Sequence, residues 1–238
     1  MTAPGREELA ELEAAFAGAA PAGSAWSLGP IGAEPDARFP DEEAAVAGAV
    51  ATRRAEFAAG RTHARRALAA LGAALAPIPA GADRAPQWPP GFAGSIAHTR
   101  SLAAAVVAPT AAFAALGLDI EELRAEMDEI APMVLAPAER RWLDGLAGAE
   151  RRRLATLVFS IKEAVFKAQW PLTHRFLEFA DVEVTLAPDL LSFVVRVRPG
   201  AEGAEPQSHR GRCAAPGRFA LAIVACAAPA PGADRRQG

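Results

Sequence analysis

Apolar and polar residues alternate in several short stretches, and this alternation predicts strands. Val182, Val184 and Leu186 alternate with Glu183 and Thr185, as expected of a strand with one buried face. Short apolar runs bounded by turn residues also predict strands. Together the two patterns predict one strand near the N-terminus and two later groups of strands. The predicted strands are Ala25–Leu28; Gly94–His98, Leu102–Ala108 and Phe113–Ile120; and Asp181–Leu186, Leu191–Arg198, Gln207–Cys213 and Arg218–Cys226.

Apolar residues at three- and four-residue spacing predict helices elsewhere. The predicted helices are Glu7–Gly18, a tract from Asp41 to Gly72 with Gly60 as a candidate break, Pro137–Leu146 and Ala149–Trp170. The last is the best defined, because Phe159, Phe166 and Trp170 fall on one stripe. Pro171 is expected to end it, since the residue before a proline is disfavoured in helical geometry.

The order of these elements predicts the fold class. A helix followed by strands occurs twice, over Glu42–Ile120 and Ala149–Cys226. This order indicates an α+β fold with two similar lobes, each a long helix packed on a small antiparallel sheet, and with the active site in the cleft between them. The expected lobes are residues 1–115 and 116–227, followed by a disordered tail at 228–238.

Composition and charge narrow the class of protein. Hydrophobic residues make up 51% of the 238 residues, enough for a real core, and the net charge of −3 argues against a nucleic-acid-binding protein. Cys213 and Cys226 fit neither a zinc site nor a disulfide framework, and Met1–Glu8 does not resemble a secretory signal, so a cytoplasmic protein is expected. The uncharged run Ser101–Leu118 is interpreted as a hairpin with its turn at Pro109, not as a membrane span.

The long predicted helix carries the only two lysines among the 25 basic residues, Lys162 and Lys167. In a chain that otherwise uses arginine, a compact ammonium group at these positions suggests chemistry on a phosphate or a proton. Glu163 and Lys167 are four residues apart and reach the same edge of the helix. The alternative is a surface helix with ordinary ion pairs.

Acidic residues near the third predicted strand of the first group suggest a metal site. Asp119 and Glu121 are two residues apart on a strand, so both side chains point to the same face. With Glu163 they would supply three hard oxygen ligands, which suit a magnesium ion that takes its other ligands from water and substrate phosphates. The alternative is a solvated acidic strand end.

Three arginines and a histidine are candidates for binding phosphate. Arg61 and Arg65 are four residues apart on one helical edge, Arg84 lies in a proline-rich loop, and His98 ends a predicted strand. Their side chains could form a phosphate clamp. A structural histidine and a solvated arginine face are the alternatives.

Taken together, the segments that carry these residues resemble the 4′-phosphopantetheinyl transferases, specifically the enterobactin-synthetase component D-like (Sfp-type) group. The resemblance runs in order from Phe57 to Cys226. Four segments carry it: Ala59–Leu68 is similar to AGRxxARxAL, Gln87–Thr99 to WPxGxxGSxxH, Gly117–Glu121 to G-[IVL]-D-x-E, and Phe159–Lys167 to [FW]-[SC]-x-K-E-[AS]-x-[FY]-K. Pro171-Leu172-Thr173 and Gly211-Arg212 also fit. The departures are Ala97, where a serine or threonine is common, and the bulkier Ile161.

The resemblance implies that phosphopantetheine passes from coenzyme A to a serine of an acyl or peptidyl carrier protein, with release of 3′,5′-ADP. It also implies a role for each candidate residue. Asp119, Glu121 and Glu163 would bind Mg²⁺, Glu163 or a water would act as the base, and Lys162 and Lys167 would neutralise phosphate charge. The 3′-phosphate end of coenzyme A would lie on the first lobe, bound by Arg61, Arg65, Arg84 and His98. A monomer is expected. A metal-dependent nucleotide phosphoesterase and a non-catalytic carrier-binding module stay open, as does the pathway: fatty acid, polyketide, nonribosomal peptide or siderophore.

Overall fold

Two antiparallel sheets, each covered by a long helix, form the protein. The computed structural model describes residues 3–32, 39–198 and 207–229. Its helices are α1 Arg6–Ala19, α2 Pro40–Ala44, α3 Ala51–Ala70, α4 Met127–Val134, α5 Pro137–Leu143 and α6 Gly148–Thr173. Its strands are β1 Ala25–Pro30, β2 Phe92–His98, β3 Leu102–Pro109, β4 Phe113–Glu122, β5 Val182–Leu186, β6 Ser192–Val197, β7 Gln207–Ala214 and β8 Phe219–Ala227. The predicted α+β class is confirmed.

The first lobe is the sheet β1-β3-β2 with α3 packed on it. The buried side chains of Ala64, Leu68 and Val107 lie in the core between the helix and the sheet. A Cβ added to Gly60 would lie 2.8 Å from the Ile96 side chain, so this glycine lets α3 lie close to β2. The expected break at Gly60 is therefore wrong. The chain instead leaves helical geometry between α2 and α3, at residues 45–50.

The second lobe is the sheet β4-β8-β7-β6-β5, which carries α6 on one face. α1 contacts the same sheet, and its Leu12 and Phe16 share a core with Ile120 and Phe219. β4 begins at Phe113, so the expected lobe boundary between residues 115 and 116 falls inside this strand. Of the expected tail at 228–238, residues 230–238 lie outside the described part of the chain.

The run from Ser101 to Leu118 contains the two predicted strands and the turn, but the strands do not pair as a hairpin. β3 is paired on both edges by β1 and β2, so β4 pairs with β8 instead. The turn after Pro109 therefore carries the chain from one lobe to the other. Among the described residues, no helix has the length and apolar character needed to cross a membrane.

Two helix predictions are also corrected. α6 continues through Pro171 to Thr173, and His174 ends it in left-handed geometry, with its N–H bonded to the Trp170 carbonyl. Pro171 has no N–H to donate, so the helix continues past it without that one hydrogen bond. α4 was not predicted, because Pro132 interrupts the helical pattern there.

Candidate active site

The predicted carboxylates meet where α6 lies on β4. Asp119 and Glu121 are on β4, and Glu163 and Lys167 are on α6. Gly117 makes this arrangement possible, because a Cβ there would lie 1.9 Å from the carbonyl oxygen of Ala164. Any larger residue would push the helix away from the strand. The glycine of the Gly117–Glu121 segment thus sets the distance between the two pairs of charged side chains.

Lys167 is the cation at the centre of this cluster. Its Nζ donates to Asp119 Oδ1 at 2.7 Å and to the Leu118 carbonyl at 3.1 Å. The other carboxylate oxygen of Asp119, Oδ2, is buried and accepts no hydrogen bond in the described structure. The ammonium group therefore bonds one carboxylate oxygen of Asp119 and leaves the other, a buried acceptor, open.

The pKa shifts in the cluster show an excess of negative charge. Burial, and next the Asp119 carboxylate, raises the pKa of Glu121 to about 7. The same two causes, in the same order, raise the pKa of Glu163. Burial alone would lower the pKa of Lys167, but Asp119, Glu163 and Glu121 together raise it. The cluster therefore favours any added positive charge.

The carboxylate oxygens of this cluster are chemically suited to bind a magnesium ion. Hard carboxylate oxygens, uncompensated charge and the open Oδ2 of Asp119 are what Mg²⁺ requires. Within the described residues, however, no three histidine, cysteine, aspartate or glutamate side chains are already arranged to hold a metal. Because Lys167 lies on Asp119, its side chain must move before a cation can contact both oxygens of that carboxylate.

His98 lies at the end of β2, in the first lobe, close enough to α6 for the charge of Lys167 to act on it. Its Nε2 is 2.9 Å from Arg53 Nη1, and its Nδ1 is 3.9 Å from Glu56 Oε2. Burial lowers the pKa of His98; the Glu56 carboxylate opposes that shift, and the positive charges of Arg53 and Lys167 add to it. Arg53 was missed by the sequence analysis. Its position about two turns before Arg61 on the same helix could have indicated it as a site residue.

The three predicted arginines are not gathered at one point. Arg65 is buried and donates from Nη1 to both carboxylate oxygens of Glu42, at 2.7 and 2.9 Å. Arg61 is buried against the Phe57 ring and donates to the Ile78 carbonyl, while its Nη2 has no hydrogen-bond partner in the described structure. Burial lowers the pKa of Arg61 to about 10. Arg84 is exposed at a turn, where its φ is 67°.

Lys162 lines the same cavity as Glu163, but its ammonium group is bound outside the carboxylate cluster. Its Nζ lies 2.8 Å from Glu139 Oε2 and donates to the carbonyls of Val134 at 2.8 Å and Phe179 at 3.0 Å. The two ionic side chains are only 1% and 2% exposed. Burial lowers the pKa of Lys162, and Glu139 opposes that shift. The structure thus separates the two lysines that the sequence analysis placed together.

A mostly apolar cavity of ≈ 540 Å³ opens beside Glu163. Its walls include Met133, Phe166, Phe176 and Leu177. The exposed rings and chains of Phe176 and Met133, at 71% and 69% exposure, form part of its rim. This cavity was not predictable from the sequence, since Phe176 and Leu177 follow the end of α6 and Met133 lies on the unpredicted α4.

Comparison with known proteins identifies the family. The model of the 4′-phosphopantetheinyl transferase N-terminal domain matches residues 41–108, and that of the 4′-phosphopantetheinyl transferase superfamily matches residues 115–224. The 4′-phosphopantetheinyl transferase Svp of Streptomyces mobaraensis is 41% identical over 201 residues, which cover 82% of this chain and 81% of Svp. The chain belongs to the 4′-phosphopantetheinyl transferase superfamily. The resemblance found in the sequence is confirmed.

Two further relatives of this transferase are more distant. The 4′-phosphopantetheinyl transferase PptT of Mycobacterium tuberculosis is 36% identical over 156 residues, covering 63% of this chain and 66% of PptT. Enterobactin synthase component D of Salmonella typhi is 38% identical over 118 residues, covering 49% of this chain and 48% of that protein. The match to Svp thus spans most of both chains, whereas the match to component D spans about half.

Proposed function

We propose that this enzyme transfers the 4′-phosphopantetheine group of coenzyme A to a serine hydroxyl of an acyl or peptidyl carrier protein, with Mg²⁺, releasing 3′,5′-ADP. The supporting observation is the cluster of Asp119, Glu121 and Glu163 around Lys167, with the buried Oδ2 of Asp119 open. Such an arrangement suits phosphoryl transfer, which depends on positioning and charge neutralisation more than on covalent chemistry.

Each charged residue of the cluster has a proposed part. Asp119, Glu121 and Glu163 would hold Mg²⁺, which neutralises pyrophosphate charge when bound. The raised pKa of Glu163 suits a base that takes the serine proton, directly or through a water. Lys167, once released from Asp119, would neutralise charge on the phosphate or on the leaving group. Lys162 is bound to Glu139, so we propose that it acts by holding α6 in position.

The other groups of the cleft suit the rest of coenzyme A. His98 and Arg53 on one side of the cleft, with the exposed Arg84, would bind its 3′-phosphate. Arg65 and Arg61 would support that side from inside the first lobe, because Arg65 holds Glu42 and Arg61 holds the loop at Ile78. The apolar cavity beside Glu163 would take the uncharged pantetheine arm.

The test is the intact mass of candidate carrier proteins after incubation with coenzyme A and Mg²⁺. We expect a gain of one phosphopantetheine group, and Asp119→Asn should slow it roughly a hundredfold or more, because a neutral amide is a poor magnesium ligand. Asp189→Asn, in the β5–β6 turn, is the matched control and should be unaffected.

Other outcomes identify the alternatives. Hydrolysis of coenzyme A without carrier would indicate a phosphoesterase, and carrier binding without modification would indicate a binding module. Wild-type turnover by Asp119→Asn across a magnesium titration would contradict the metal assignment. We further propose a cytoplasmic monomer whose carriers belong to fatty acid, polyketide, nonribosomal peptide or siderophore synthesis.

A further inference from the structure

A tight turn between α3 and β2 holds Arg84 at its tip. Ala80 and Pro86 form an isolated bridge, and the N–H of Gly81 donates to the Ala85 carbonyl at 2.8 Å. Within the turn, Asp83 Oδ1 accepts the Ala85 N–H at 3.0 Å. A Cβ on Gly81 would lie 2.8 Å from that same oxygen, so the carboxylate packs directly on the turn backbone.

The second carboxylate oxygen of Asp83 reaches the other lobe. Oδ2 accepts the indole N–H of Trp170 at 2.7 Å. Trp170 is on α6, seven residues after Glu163 and three after Lys167, so it shares their face of the helix. Its ring lies 5.7 Å from that of Phe166 and 5.6 Å from that of His174, between centroids. Packing therefore holds the donor in place.

Arg84 lies in this turn, and its side chain is exposed. The turn backbone therefore fixes where the Arg84 side chain begins. That backbone is left-handed at Arg84, a conformation that non-glycine residues adopt mainly when their surroundings require it. The bond from Trp170 also lowers the pKa of Asp83, as expected for a carboxylate that accepts it in ionised form.

We propose that the Asp83–Trp170 hydrogen bond ties the turn that carries Arg84 to α6, the helix that carries Glu163 and Lys167, and so fixes where the 3′-phosphate of coenzyme A is held relative to the reacting phosphate. Asp83 and Trp170 are positioning residues in this proposal, because they act through Arg84. The inference rests on the proposed function in taking coenzyme A as the ligand and Arg84 as a group that binds its 3′-phosphate.

Two substitutions break the contact from opposite sides. Asp83→Asn has one acceptor oxygen where the carboxylate has two, so it can satisfy the Ala85 N–H or the indole N–H but not both. Trp170→Phe removes the donor and keeps a ring against Phe166. Asp189→Asn is the matched control, since Asp189 accepts the N–H of Leu191 two residues on at 3.0 Å, in the same kind of turn but away from the cleft. Trp142→Phe controls for loss of an indole.

The measurements are calorimetric binding of coenzyme A and of 3′-dephospho-coenzyme A without metal, and steady-state kinetics. We expect each substitution to raise the Kd and KM for coenzyme A about threefold to tenfold, the range for loss of one hydrogen bond. The kcat and the carrier KM should stay within about twofold, and binding of the dephospho compound should not change. The double variant should be no weaker than either single one, because both remove the same bond.

Several outcomes would overturn the inference: additive losses in the double variant, equal weakening for the dephospho compound, losses matched by the control variants, or a fall in kcat at constant KM. Thermal unfolding of each variant separates these results from misfolding. Failure of the proposed function would give a different result: the wild-type protein would leave every carrier unmodified. Unchanged coenzyme A affinity in Asp83→Asn, with normal transfer by the wild type, contradicts only the positioning role.

Discussion

Replacing Lys162 by methionine should destabilise the fold itself. The lysine and Glu139 form a buried pair, and Glu139 also accepts the N–H groups of Ala136 and Val184, both at 2.7 Å. Loss of one partner of such a pair typically costs about 3–5 kcal/mol, because the remaining charge stays buried. The two backbone donors still stabilise the Glu139 carboxylate, so we expect a loss near the lower end, about 3 kcal/mol in the free energy of unfolding.

The geometry also predicts how two related variants behave. Three acceptors surround the compact ammonium group of Lys162. A planar guanidinium cannot reproduce that arrangement in the same volume, so Lys162→Arg should destabilise as well. Lys162→Met combined with Glu139→Gln removes the uncompensated charge, but the amide NH2 then faces the N–H of Ala136 or Val184, so only a small part of the loss should be recovered.

Urea unfolding at pH 7, followed by circular dichroism, measures these differences. For a chain of this size, about 3 kcal/mol corresponds to a fall of about 6–12 °C in Tm. Arg152→Met, near the start of the same helix, is the control and should lose far less stability, since the side chains of Arg152 and its partner Asp128 are 32% and 48% exposed. If Lys162→Met loses transfer activity with its unfolding free energy unchanged, the lysine acts on the substrate and the structural reasoning is wrong.

Two further predictions concern the carboxylate cluster. Lys167→Met should raise the affinity of the coenzyme-free protein for Mg²⁺ or Mn²⁺, measured by calorimetry, because the ammonium no longer competes for Asp119; equal or weaker metal binding would contradict this. The pKa of Glu121 is raised from 4.5 to about 7, so the folded state binds its proton more tightly than the unfolded state does. Stability of the metal-free protein should therefore fall as pH rises from about 4.5 to 7, by up to about 3 kcal/mol, and Glu121→Gln should flatten that slope in urea titrations.

The strands were largely predictable because each depends on a local pattern. For β3, the strand Leu102–Ala108 was predicted and Leu102–Pro109 is observed. A buried central strand is a short apolar run between turn residues, and such a run can be recognised in the sequence. The pairing of the strands could not be predicted from local sequence patterns. β4 follows β3 after a short turn, yet it pairs with β8, because both edges of β3 are already occupied. Pairing is decided by the whole sheet.

The site was predictable to the extent that it depends on spacing within one element. Asp119 and Glu121 share a strand face, Glu163 and Lys167 share a helix edge, and Gly117 brings the two elements together. The partners of buried charges were not predictable. Glu42, far away in the sequence, takes the Arg65 guanidinium, and no local pattern distinguishes such an arginine from one that faces a substrate.

The spacing of the two lysines already contained a geometric constraint. Five residues turn an α-helix by about 140° beyond one full revolution, so Lys162 and Lys167 leave the helix in different directions. The structure satisfies this by pairing Lys162 with Glu139 on one side of α6 and Lys167 with Asp119 on another. These two ion pairs resist rotation of the helix about its axis, and Glu163 lies between them in sequence. A substitution at Lys162 should therefore reach the chemistry through the orientation of Glu163, with loss of stability and loss of rate appearing together.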